Sequence, residues 1–170
     1  LFRSYARALL EAQRFADART QIEAVTREKP DMPEAWLVQA SLDLQADQLP
    51  QAEASLQKFL ALLEPLPTSE PRSNARTQAY LMLSQIAEKR GDVDQAEAWL
   101  TRIDSPSGLL TAQSRRAGLL ARQGKVTEAR AILRALPAKT AEEERQKLIA
   151  EVQLLREVKD FQAAYDLQAQ

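Results

Sequence analysis

The sequence has no cysteine and no histidine, only four glycines, and aromatic residues at 5%. Without thiolate or imidazole there is no disulfide framework and no zinc ligand set of the usual kind. A metal site would have to be built from carboxylates alone. β-branched aliphatics are scarce as well, with six Val and five Ile against 29 Ala and 25 Leu. That mixture favours helices and disfavours strands. Neither sign of charge is in excess: 23 basic and 24 acidic residues leave a net charge of −1, so no global field draws the chain to nucleic acid or anionic lipid. No apolar run approaches the roughly 20 residues that span a bilayer, so no membrane insertion is expected.

What the chain has is repetition. "KRGDVDQAEAWL" at 89–100 returns in outline as "RQGKVTEARAIL" at 122–133. Each keeps a Gly, an apolar residue two later, an Ala five later and a Leu nine later. Alignment on that Ala gives Ala18, Ala52, Ala96, Ala129 and Ala164, spaced by 34, 44, 33 and 35 residues. A period near 34 built from two apolar stripes at helical spacing predicts stacked helix pairs. The expected pairs are 1–12 with 15–29, 33–46 with 49–63, 72–90 with 93–103, 107–122 with 126–136, and 141–157 with 161–169. The one long interval falls in "EPLPTSEPRSN", 64–74, whose prolines predict an inserted loop. Asp31 with Glu34, Asp92 with Gln95 and Thr140 with Glu143 read as capping boxes, and Ser105 before Pro106 as a further cap.

The packing logic follows. Gly91 and Gly124 suit a left-handed residue that ends the first helix of a pair. Val93 and Val126 plug the apex of the turn. Ala96 and Ala129 mark the closest helix approach, with Leu100 and Leu133 one turn further along the same face. None of these is a site residue.

These residues resemble the tetratricopeptide repeat family. Phe2, Tyr5, Ala6, Leu9, Phe15, Ala18, Ile22, Val25 and Pro30 match its unit, as do Trp36, Ala40, Leu49, Ala52, Leu56 and Phe59 in the second. The third keeps Tyr80, Leu83, Ser84, Gly91, Ala96 and Leu100. The fourth keeps Ala117, Leu120, Gly124, Ala129 and Leu133 but departs at Gln113 and Arg116. The fifth carries Leu148, Leu155, Phe161 and Ala164. The resemblance implies an all-α, right-handed superhelical solenoid of antiparallel helix pairs, about five repeats and ten helices in a single domain over 1–170. The repeats run at about 1–31, 32–65, 72–105, 106–138 and 140–170, with the insertion at 64–74.

It also implies a concave groove lined by the first helices, binding a protein or peptide without catalysis or cofactor. The positions carried over are Arg3, Arg7, Leu37, Ser41, Gln45, Leu81, Gln85, Lys89, Ser114, Arg115, Arg122, Gln153 and Arg156. Gln bonds peptide backbone, Leu holds an apolar side chain, and Arg grips acidic or C-terminal carboxylate groups. The clamp of chaperone-tail receptors is not reproduced: its places hold Arg3, Arg7, Val38, Gln78 and Met82, or one repeat later Leu37, Ser41, Met82, Thr111 and Arg115.

Other features are weighed and set aside. Glu142–Glu144 follow Thr140 at a helix start, where negative charge complements the dipole. Trp36 and Trp99 are assigned to core-facing positions, so nucleic-acid stacking is not expected. The cluster Arg115, Arg116, Arg122, Lys125, Arg130 and Arg134 is the densest local patch for an acidic partner. No nucleophile stands with a base, so no catalytic residue is assigned. Leu1 opens the chain already within a helical pattern, as expected of a segment of a longer protein. The Ala-, Gln- and Arg-rich style is expected of a bacterial protein, in cytoplasm or cell envelope. The rival expectation is a structural spacer, or a homodimer through the fifth repeat, where Phe161 and Leu167 leave an apolar face open.

Overall fold

The turns between helices show how the chain is organised. At Asp47, Gly91 and Gly124 the backbone turns left-handed, with φ of 60°, 79° and 83°. Each of these residues stands five before the small Ala of its repeat. Each turn closes with the same two bonds. The N–H after the left-handed residue reaches back five positions (Gln48 to Asp43, Asp92 to Ala87 and Lys125 to Leu120, at 2.8 to 2.9 Å), and the left-handed residue's own N–H reaches back three. This double closure satisfies carbonyls that a helix end leaves open. Two of the turns use Gly, as expected, while the second repeat uses Asp, one of the few side chains that tolerates this conformation.

The computed structural model describes residues 2–158, with side chains described for residue 8 and for 11–158. The described residues form eight helices and no strand: α1 (Phe2–Glu28), α2 (Pro33–Gln45), α3 (Leu49–Leu63), α4 (Glu70–Lys89), α5 (Val93–Thr101), α6 (Pro106–Arg122), α7 (Val126–Arg134) and α8 (Ala141–Glu157). Two features separate this from the ten expected. The pair expected at 1–12 and 15–29 is one continuous helix, α1. The position that turns left-handed in later repeats is Gln13 here, with no Gly or Pro near it to stop a helix. The expected helix at 161–169, with Phe161, Ala164 and Leu167, lies outside the described residues.

The insertion is also shorter than 64–74. Helix α4 begins at Glu70, so Pro71 sits in its first turn, where a missing N–H costs nothing. The loop that remains is tied down by Arg72. Its guanidinium donates to the carbonyls of Leu63 (3.0 Å) and Glu64 (3.1 Å) and to Thr68 Oγ1 (3.2 Å). These bonds cap the end of α3 and hold the loop against the start of α4.

Three of the four expected caps form. Asp92 accepts from Gln95 N, Ser105 from Gly108 N and Thr140 from Glu143 N. Asp31 does not cap α2. Pro33 takes the first helical position, which moves the cap to Met32, a residue without an accepting side chain.

The chain falls into two compact units, residues 1–86 and 87–170, divided inside α4. In the first, α2 packs on α1 and on α3, burying Ala40, Leu44, Ala52, Leu56 and Phe59. In the second, α6 packs on α5, α7 and α8, and α7 also packs on α8. Ala117, Leu120, Ala121, Ala129, Leu133, Leu136 and Leu154 form its core, against which Val126 rests half-buried. Ala52, Ala96 and Ala129 are all completely enclosed, as expected for residues at the closest helix contacts. The tryptophans differ from expectation. Both are only half-buried: Trp36 donates to the Pro30 carbonyl at 2.8 Å, and the Arg102 guanidinium lies 4.4 Å from the Trp99 ring centre.

Candidate protein-binding surface

The expected groove residues lie on first helices at a spacing that keeps them on one face. In the first unit α2 carries Leu37, Ser41 and Gln45, four residues apart; Ser41 and Gln45 are exposed and Leu37 is half-buried. Val38 beside them is 46% exposed, an apolar side chain left in solvent. On α4, Leu81 is half-buried and Gln85 exposed. In the second unit Lys89, Arg115, Arg122, Gln153 and Arg156 are exposed and Ser114 is half-buried. Arg3 and Arg7 fall on the first turns of α1, outside the residues whose side chains are described.

Helices α6, which carries Ser114, Arg115 and Arg122, and α8, which carries Gln153 and Arg156, are in direct contact. Gly118 lies on α6 at this contact: a Cβ there would meet Glu157 Oε2 at 3.9 Å. That is ordinary contact distance.

The basic cluster is largely spent within the fold. Arg116 Nε donates to Glu97 Oε1 at 2.8 Å, Arg122 pairs with Glu88, and Arg130 and Arg134 both donate to Glu151 Oε1 at 2.8 and 2.9 Å. At least four of the six cations therefore already hold a carboxylate. A dense run of Arg in sequence does not here become an open cationic patch.

The sequence reading missed the acidic half of these pairs. Asp43 is 2% exposed and Glu151 5% exposed, and the Arg19 guanidinium donates two bonds to Asp43 Oδ1 at 2.9 and 3.2 Å. Three pairs formed by a second helix and the next first helix carry such a bridge: α1 to α2 by Arg19 and Asp43, α5 to α6 by Glu97 and Arg116, α7 to α8 by Arg130 and Glu151. The α1–α2 contact adds a neutral chain. Thr26 Oγ1 donates to Gln39 Oε1 at 2.7 Å, and Gln39 Nε2 donates to Ser55 Oγ on α3 at 3.2 Å. One signal was available: Arg116 stands where the repeat pattern has Leu, and a polar residue at a core-facing place needs a partner.

Two sequence models of the tetratricopeptide repeat match the chain, one over residues 6–69, the other over 77–102 and 110–135. The chain belongs to the tetratricopeptide repeat family. Repeats of this family generally mediate protein–protein interaction, and the family is typically a non-catalytic scaffold. Among curated proteins none matches the chain. No described helix of this tetratricopeptide chain is long and apolar enough to cross a membrane. Among the described residues no three Asp or Glu side chains come together as a metal site would require.

Proposed function

We propose that this tetratricopeptide chain is a binding segment whose first-helix faces hold a protein or peptide, with acidic or C-terminal carboxylate groups favoured. The observation that carries the reading is the α6–α8 face. There, two adjacent first helices put Arg115, Arg122, Gln153 and Arg156 in solvent while their apolar sides are locked into one core. A surface fixed before the partner arrives loses little entropy on binding. Gln153 offers donors and an acceptor to a peptide backbone, and the guanidinium groups take carboxylate oxygens in pairs. Arg122 holds Glu88 in the free chain, so an acidic partner reaches it by exchanging one carboxylate for another.

The test is a quantitative pull-down from the native host with the parent and with an Arg115→Glu, Arg156→Glu variant, both shown to be folded by circular dichroism. Proteins held by the parent and lost from the variant support the face as a binding surface. Identical retention by both sinks the reading.

A spacer or self-associating role is the second reading. It draws on Leu148 and Ile149 of α8, which are 38% and 44% exposed. Sedimentation showing a strict monomer at high concentration removes self-association.

A further inference from the structure

A cavity of the second unit lies away from the proposed groove residues, where the start of α6, the loop after α7 and the start of α8 meet. It has a volume of about 440 Å³, and Leu109, Leu110 and Leu136 line it. That is the size of pocket that takes a small ligand or one large side chain with its neighbours. The floor is an edge of the core, since Leu136 belongs to the buried cluster and Leu109 and Leu110 pack on it half-exposed.

The rim is charged, and its charges are unequally committed. Glu143 accepts from the backbone N–H of Lys139 at 2.6 Å, so its carboxylate is engaged in starting α8. Lys147 Nζ donates to the Arg134 carbonyl at 2.9 Å, which uses one of an ammonium group's three donors. Lys139 is exposed and lines the same opening. Two lysines thus line a cavity with an apolar floor, together with a single carboxylate that already serves the helix cap.

We infer that this pocket holds an apolar side chain flanked by carboxylates on a segment of a partner protein. The apolar residue enters among Leu109, Leu110 and Leu136, and its acidic neighbours meet Lys139 and Lys147 at the rim. Charge complementarity selects the partner's sign, and the apolar floor requires a large side chain beside the acidic ones. The site does not depend on the groove reading, because none of its residues is a groove residue.

The test uses the full chain, ¹⁵N-labelled, and three synthetic probes: acetyl-Asp-Phe-Glu-amide, the same peptide with Lys in place of both acids, and the same peptide with Ala in place of Phe. The expected result is saturable shifts at the amides of Leu109, Leu110, Leu136 and Lys139 with the first probe. Affinities for the other two should be lower by roughly fivefold or more, and Lys139→Glu should weaken the first probe by roughly tenfold. Lys139 is an exposed loop residue, so its substitution leaves the core intact. No shift at these amides up to millimolar peptide, or equal response to all three probes, overturns the inference. Shifts confined to Ser114, Arg115 and Gln153 overturn it too, while supporting the groove.

Discussion

At the scale of single residues, the left-handed turn positions and the buried carboxylates make the sharpest claims. Nothing lies within 4 Å of a Cβ built on Gly124, so Gly124→Ala meets no steric obstacle and pays only for its backbone. At φ of 83° that cost is about 1–2 kcal/mol; a melt unchanged from the parent would show that the turn relaxes instead. Arg19→Ala has a different origin. It leaves Asp43 buried without its cation, and since Arg19 is itself partly exposed the loss should be about 2 kcal/mol, below the range for fully enclosed pairs. Adding Asp43→Leu to it should recover most of that loss, and a double-mutant cycle measures the coupling. The two residue types also differ in legibility. Gly91 and Gly124 announced their turns because glycine has few other reasons to recur at that spacing. Asp43 and Glu151 did not, because a carboxylate in a charge-rich helix reads as solvent-facing until its neighbours are known.

Among the elements, spacing proved a good guide wherever a breaker stood beside it. Helices α2, α3 and α8 start where expected because Pro33, Leu49 after the Asp47 turn, and Thr140 fix their first turns. Helix α1 was divided in two by analogy with the later repeats, although no residue near Gln13 supports a break. The start of α4 was placed too late because Pro71 was read as a breaker, whereas the first turn of a helix accepts proline. Of the proposed groove positions, Ser41, Gln45, Gln85, Lys89, Arg115, Arg122, Gln153 and Arg156 are exposed, and what the sequence left unread was the Arg122–Glu88 pair. That pair joins residues 34 apart in sequence, and only the folded chain brings them together. The element scale also carries a packing prediction. Ala129 is wholly enclosed between α6 and α7, so Ala129→Leu should overpack that contact and cost roughly 1–3 kcal/mol. Chemical denaturation measures it, and no loss would mean the two helices separate freely.

For the whole molecule, stability in a repeat array is shared between neighbours more than across the chain. Glu151→Ala leaves Arg130 and Arg134 without their shared acceptor at the α7–α8 contact. Hydrogen exchange should therefore quicken in α7 and α8 by roughly tenfold or more while α2 and α3 keep their protection. Uniform loss of protection would mean that the two units unfold together. With a net charge of −1 the chain has no global field, so steering of an acidic partner toward the proposed α6–α8 face comes from its local Arg residues, and association rates should fall as salt rises.

The bridges between neighbouring helices bear on how such a gene can lengthen. Arg130 directly follows the small Ala of its second helix, as Glu97 does, and Arg116 and Glu151 take the same place on successive first helices. The α6–α7 pair therefore presents Arg at both of its junctions, toward Glu97 on one side and Glu151 on the other. A tandem duplication of that segment would set the Arg130 of one copy against the Arg116 of the next, two like charges where the fold now has a bridge. A simple copy would therefore lose the bridge at its new junction, and an acidic substitution there would restore it.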